Sequence, residues 1–211
     1  VSHESERAAI VEVGLRLHEK GLVTATEGNL SVRVADGHLV TASGVSKGLL
    51  KPEHVVFVDH EGRRPADGPP VSSEAMMHAA IYRRRPDVQA VIHAHPPTAT
   101  AFAVAHVPLD PRILAESVVV LGAVPLIPYA TPGTLELANL VAEGLTEGLA
   151  ALLANHGAVT VGHTLTQAHH RMETLEHVAR VALMARLLGG ARELSPLEVE
   201  RLLDSRTGPY R

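Results

Sequence analysis

Two histidines spaced two residues apart close an apolar run, Val91-Ile92-His93-Ala94-His95-Pro96. In a strand, residues i and i+2 point to the same side, so His93 and His95 aim two imidazoles at one point. Pro96 and Pro97 stop the strand, which puts the pair at its end, beside a cleft. Such pairs begin metal sites, and they also occur as plain surface residues. A third imidazole comes from Asn155-His156-Gly157, a polar tripeptide between the apolar runs Leu149 to Leu153 and Val159 to Val161. Alone it reads more readily as a turn. Joined to His93 and His95 it gives three protein ligands, and a catalytic zinc uses three with a fourth position left open.

The chain has 211 residues, 14 of them His and none Cys. Disulfides, thiolate ligands and thiol nucleophiles are therefore excluded, and a transition metal must rest on imidazole and carboxylate. Glu74, in Ser72-Ser73-Glu74, is the carboxylate best placed for acid–base work beside a metal. It also fits the plain role of a first-turn Glu favoured by the helix dipole. Ser72 and Ser73 open that helix, whose N-terminus offers backbone N–H groups to an anion; simple capping is the alternative. Thr26-Glu27-Gly28-Asn29 and Thr41-Ala42-Ser43-Gly44 each combine a close-approach glycine with a short donor side chain. None is a dinucleotide or P-loop fingerprint. His169, His170 and His177 share a helix with Arg171, Glu173 and Glu176 and read as a solvated or interface face. His38 reads as a partnerless polar-face residue. His78, four residues after Glu74 and on the same helical side, reads as structural.

The elements that must position these groups follow from periodicity and turn chemistry. Residues 4–20 form an amphipathic helix ended by Gly21. A half-buried strand with Leu30, Val32 and Val34 pairs with His38 to Thr41 across Ala35-Asp36-Gly37, and Val55 to Val58 is a further strand. Residues 60–71 are a Gly/Pro-rich loop. A helix runs from Ser72 to about Arg84, and Val88 to His93 is a strand. A helix at Pro97 to Ala105, a short strand at Val124 to Pro128 and a helix at Thr134 to Thr146 follow. Strands at Leu149 to Ala154 and Ala158 to Val161 precede a long helix, Thr164 to Leu188, and a last one opened by Ser195-Pro196-Leu197-Glu198. The expected architecture is a single α/β domain over 1–211: three layers, a mainly antiparallel central sheet, helices on both faces.

Composition narrows the function class. Apolar residues make up 45%, charged residues 20%, and the formal net charge is −4. No basic stripe suggests nucleic acid, no run is apolar and long enough for a bilayer, and no signal-peptide pattern opens the chain. A cytoplasmic enzyme is the expectation.

Taken together, Gly28-Asn29, Ser43-Gly44, Ser72-Ser73-Glu74, His93-Ala-His95 and Asn155-His156-Gly157, in this order and spacing, resemble the class II (metal-dependent) sugar-phosphate aldolases, the family of fuculose-phosphate aldolases and ribulose-phosphate 4-epimerases. Tyr82-Arg-Arg-Arg-Pro86-Asp87 and Pro128-Tyr129-Ala130-Thr131-Pro-Gly133-Thr134 extend the likeness to nearly the whole chain. The resemblance implies one Zn2+ per subunit, or another divalent ion, on His93, His95 and His156, with Glu74 as resting fourth ligand and acid/base. It implies a substrate phosphate held by Gly28, Asn29, Ser43, Gly44, Ser72 and Ser73. It also implies a cytoplasmic homotetramer with active sites at subunit interfaces, and a lyase reaction releasing dihydroxyacetone phosphate and an aldehyde through a zinc-stabilised enediolate, with L-fuculose 1-phosphate as the expected substrate. Epimerase, dehydratase or decarboxylase chemistry and a structural adducin-head-like module are the alternatives. Glu74 matches the aldolases, since the epimerases carry Asp there. Leu114 stands where fuculose-phosphate aldolases place a tyrosine, and Tyr210 is the candidate for a second family tyrosine near the C-terminus.

Overall fold

The computed structural model describes residues 3–60, 63–64 and 68–204. Its seven strands are Asn29–Val34 (β1), Gly37–Thr41 (β2), Val55–Asp59 (β3), Ala90–Ala94 (β4), Leu126–Ile127 (β5), Ala150–Leu153 (β6) and Gly157–Gly162 (β7). They form one sheet in the order β3-β2-β1-β4-β7-β6-β5. All pairings are antiparallel except β5 with β6, as the sequence led us to expect.

Helices cover both faces. On one side Glu4–Glu19 (α1), Pro97–Val104 (α3) and Leu165–Leu187 (α6) bury Ile10, Leu17, Phe102, Met172 and Leu175 against Leu30, Ala90 and Ile92. On the other, Ala75–Arg84 (α2) and Leu135–Gly144 (α5) bury Met77, Ile81, Leu137 and Val141 against Val91, Ala151 and Val159. Odd-numbered β4 residues thus face α2 and even-numbered ones face α6, the period-2 alternation of a strand covered on both sides. Two further helices, Ala115–Val120 (α4) and Pro196–Asp204 (α7), complete the described residues.

Three local readings change. β1 is not half-exposed: Asn29 and Ser31 are buried because α2 lies over their face. The helix expected from Ser72 starts at Ala75, since Ser72 to Glu74 form a turn closed by Ala75 N–H to the Ser72 carbonyl at 3.0 Å. Glu74 is consequently the cap residue. The sequence did not predict α4; its Val118-Val119-Val120 run has poor helix propensity and six residues are too few to register a period. No helix among the described residues is long and apolar enough to cross a membrane.

The Tyr82-to-Asp87 motif has a structural task. Arg85 pairs with Asp87 at 2.7 Å and donates to the carbonyls of Leu145 and Gly148. Arg33 donates to the carbonyls of Tyr82, Arg85 and Val88. Together they fasten the end of α2 to the start of β4, the strand that carries the first two histidines.

Candidate metal centre

The register of the central strands assembles the site. Asn29 at the start of β1 lies directly across from His93 near the end of β4, and His93 lies across from Val159 of β7. The β6–β7 turn therefore arrives beside the end of β4 and delivers His156. Its Asn-His-Gly sequence follows from its geometry. Asn155 adopts a left-handed φ of 55°, which Asn tolerates better than most residues, and its Oδ1 accepts from His106 Nε2 at 2.7 Å. Gly157 passes so close to β4 that a Cβ there would stand 2.5 Å from the His95 ring and 2.7 Å from the Ala94 carbonyl.

The three rings converge. Centroids are 4.9 Å apart for His93 and His95, 4.7 Å for His93 and His156, and 5.0 Å for His95 and His156. One nitrogen from each lies within 4.8 Å of the other two. The tautomers suit a cation. His93 Nδ1–H donates to the Ala158 carbonyl at 3.0 Å, and His95 Nδ1–H donates to Glu27 Oε2 at 3.1 Å. Their Nε2 lone pairs then face each other at 3.0 Å, an arrangement that needs a positive centre between them. Oriented imidazoles with an Nδ1–H anchored on carbonyl or carboxylate are the usual support of metal ligands. Glu74 completes the set: Oε2 lies 3.1 Å from His93 Nε2 and Oε1 3.4 Å from His156 Nε2. Oε1 is buried without a hydrogen bond, as is His156 Nδ1. These residues fit a divalent metal ion.

Burial acts on His95, His156 and Glu74. It lowers His95 and His156, the latter to about 4, with His93 adding to the effect. Burial also pushes the Glu74 carboxyl up, but the His93 and His156 rings and the Asn29 N–H outweigh it and hold it well below the usual carboxylate range.

The loops expected to meet phosphate come together next to the triad. Asn29 Nδ2 donates to Ser72 Oγ at 3.1 Å and to Glu74 Oε2 at 2.9 Å. Ser43 N–H donates to the Pro70 carbonyl at 2.8 Å, and Ala42 bridges Val71, which draws Ser43-Gly44 alongside Ser72-Ser73. Gly28, at a left-handed φ of 73°, brings its Cα so close that a Cβ would meet the His93 carbonyl at 2.9 Å. Lys47, buried, ties two of these loops by donating to the carbonyls of Thr26 and Val45. Gly133 of the 128–134 segment packs on Ser73. Tyr210 lies outside the described residues.

Some assignments shift. Glu27, Lys47 and the Ala158 carbonyl were not singled out from sequence; the adjacency of Glu27 to Gly28-Asn29 was the available signal. His169 is buried against Glu173 at 3.1 Å rather than on an open face. His38 is buried with its Nε2 unpaired. Its position on β2, under α2, is the reason.

The buried histidines set an acid limit. Burial lowers His38 to about 4, with Arg33 and His60 adding, and His78 to about 3, with His93 and His38 adding. Both titrate near 6.5 when unfolded, so between there and their folded values the unfolded chain binds more protons. Stability is full above pH 6.5 and falls as pH drops, by up to about 1.4 kcal/mol per pH unit for each group. Urea midpoints of chelator-treated protein are expected to fall steadily from pH 7 to pH 4.5; a flat profile to pH 5 would contradict neutral buried rings.

Known proteins share this sequence and fold. The family model described as Class II Aldolase and Adducin N-terminal domain matches residues 8–183. An L-fuculose phosphate aldolase of Haemophilus influenzae is 34% identical over 193 residues, 92% of this chain and 88% of its own. A 3-oxo-tetronate 4-phosphate decarboxylase of the same organism is 34% identical over 183 residues, 84% of this chain and 86% of its own. The crystal structure of L-fuculose-1-phosphate aldolase from Thermus thermophilus superposes with a TM-score of 0.77 at 39% identity, covering 89% of this chain and 97% of that one.

Proposed function

This chain belongs to the Class II Aldolase and Adducin N-terminal domain family, and from that premise we propose that it is a metal-dependent lyase that splits a ketose 1-phosphate, L-fuculose 1-phosphate, reversibly into dihydroxyacetone phosphate and lactaldehyde. One observation carries the reading: a buried carboxylate, Glu74, touches two of three convergent imidazoles and is linked through Asn29 to the serine loop. A purely structural module has no use for that arrangement.

His93, His95 and His156 hold one divalent ion per subunit, zinc by the chemistry of the donor set, with Glu74 as resting fourth ligand. When bound, the ion supplies Lewis-acid stabilisation for negative charge on the ketone-derived half. Gly28, Asn29, Ser43, Gly44, Ser72 and Ser73 grip the phosphate with backbone N–H groups and short donors. In cleavage the ionised Glu74 carboxylate takes up the C4 hydroxyl proton as C3–C4 breaks and its electron pair stays on C3; Glu74 then returns that proton to C3, completing dihydroxyacetone phosphate. Tyr210 of a neighbouring subunit serves the aldehyde oxygen, in a homotetramer with sites at its interfaces.

A second reading, decarboxylation of a 3-oxo acid 4-phosphate, is favoured by a relative of that name at the same 34% identity; loss of CO2 leaves a similar carbanion. The deciding experiment supplies zinc-loaded protein with each substrate. Release of dihydroxyacetone phosphate from L-fuculose 1-phosphate is expected. CO2 from 3-oxo-tetronate 4-phosphate without aldol cleavage would replace the first reading by the second.

A further inference from the structure

A buried polar series under α2 has no part in that scheme: Tyr82, Ser31, His78 and Asn29. Its hydrogen bonds have a direction. The Tyr82 hydroxyl lies 2.7 Å from Ser31 Oγ and is the donor there, since the single Ser31 proton goes on to His78. Ser31 in turn donates to His78 Nδ1 at 2.6 Å. His78 then carries its proton on Nε2 and donates to Asn29 Oδ1 at 2.5 Å. Asn29 sends one N–H to Glu74 Oε2 at 2.9 Å and approaches Ser72 Oγ at 3.1 Å. A carboxylate only accepts, so the reverse Asn29 orientation would set two oxygens face to face. Every bond in the series therefore points toward Glu74. With Ser31 on Nδ1 and the Asn29 oxygen on Nε2, the fully buried His78 ring is held in a single tautomer.

We propose that His78, backed by Ser31 and Tyr82, is a positioning residue that locks the Asn29 carboxamide, so that Asn29 pins Glu74 Oε2 and the Ser72 hydroxyl while Glu74 Oε1 is left to carry the proton. Oε1 is the oxygen without a hydrogen bond. A carboxamide passes protons poorly, so the series orients and does not relay. The same carboxamide touches the acid/base and the serine loop, which couples the seating of the phosphate end to the aim of the carboxylate. The inference rests on the proposed role of Glu74, and its test separates the two.

The test compares His78→Leu, which removes both bonds, with His78→Gln, which keeps a donor toward Asn29 and an acceptor toward Ser31. With zinc per chain matched, kcat of His78→Leu is expected to fall about 10-fold or more, and His78→Gln to recover most of it. A second arm needs neither substrate nor metal. Nitrogen-15 spectra of the stripped wild type are expected to show His78 protonated on Nε2 alone and the Asn29 carboxamide protons slow to exchange; His78→Leu loses that protection and His78→Gln keeps it. Should His78→Leu fail to fold, Tyr82→Phe, which removes only the terminal hydroxyl, takes its place in both arms, with faster Asn29 exchange and a smaller loss of kcat. Wild-type kcat with Asn29 still protected in His78→Leu overturns the proposal, and so does a loss that Gln does not rescue, since that is a packing effect. A wild type inactive on every sugar phosphate sinks the functional reading alone; the exchange arm still decides whether His78 sets Asn29.

Discussion

Replacing Glu74 by Gln lowers turnover by about 100-fold or more, the usual contribution of a positioned acid/base, and leaves the metal on the protein. The substitution is nearly isosteric, so the cap position and the packing of α2 survive. Its amide oxygen can take the place of Oε2 and still accept the Asn29 N–H at the position now 2.9 Å away. Its NH2 then occupies the place of Oε1, the atom near His156 that has no hydrogen bond. An amide nitrogen neither takes nor returns a proton at neutral pH, whereas the Glu74 carboxylate is ionised there and can do both. The three imidazoles are untouched, so metal per chain stays at the wild-type level while kcat collapses. Full activity in Glu74→Gln would remove the carboxylate from the mechanism and return it to the role of a helix cap.

Stripping the metal abolishes turnover, and His93→Ala makes that loss permanent. His93 is fully buried, sits between β1 and β7, and is the one ring that touches both His95 and Glu74. Alanine at 93 keeps the strand but leaves two imidazoles, too few to compete with a chelator for zinc. In the wild type, added zinc is expected to restore activity after chelation and to raise Tm, because an ion that binds only the folded chain stabilises it by about 4 kcal/mol at a thousandfold excess over Kd. In His93→Ala, zinc moves neither activity nor Tm. Turnover that persists in the fully stripped wild type would contradict the metal centre outright.

The two substitutions separate metal binding from proton transfer. Loss of activity with metal retained points to Glu74, and loss of both points to the histidines. The same pair of measurements applies to either reaction, because aldol cleavage and decarboxylation both leave an electron pair that must be stabilised and then protonated. On the proposed reading, substrate choice between them lies with the loops about the phosphate and with the aldehyde end, where Leu114 and Tyr210 were singled out from sequence.

What the sequence by itself determined is local. The side on which His93 and His95 point follows from a two-residue period, and Pro96-Pro97 marks where the strand stops. Asn155-His156-Gly157 between two apolar runs marks a turn, and the fold then shows why Asn and Gly fit it: a left-handed φ at 155 and a close approach to β4 at 157. The absence of Cys leaves imidazole and carboxylate as the only metal donors. Helices over 4–20, 134–146 and 164–188 were legible from apolar periodicity and end signals, and Thr164 accepts the Gln167 N–H as its capping box requires.

Only the tertiary structure decided which local features meet. Asn29 lies opposite His93 because β1 pairs with β4, and His156 reaches them because β7 pairs with β4 on its other edge. No local pattern encodes those registers; they come from the packing of two apolar faces against α6 and α2. Glu27 supports His95 across 68 residues, and His78 grips Asn29 across 49. Periodicity says which way a side chain points but not which distant segment lies opposite. His78 could be read from the sequence as lying on the same side as Glu74, but its bond to Asn29 exists because α2 covers β1. The three histidines were therefore visible as candidates in the sequence, while the anchoring of their rings, the orphaned oxygen of Glu74 and the directed series behind it arise from the folded sheet.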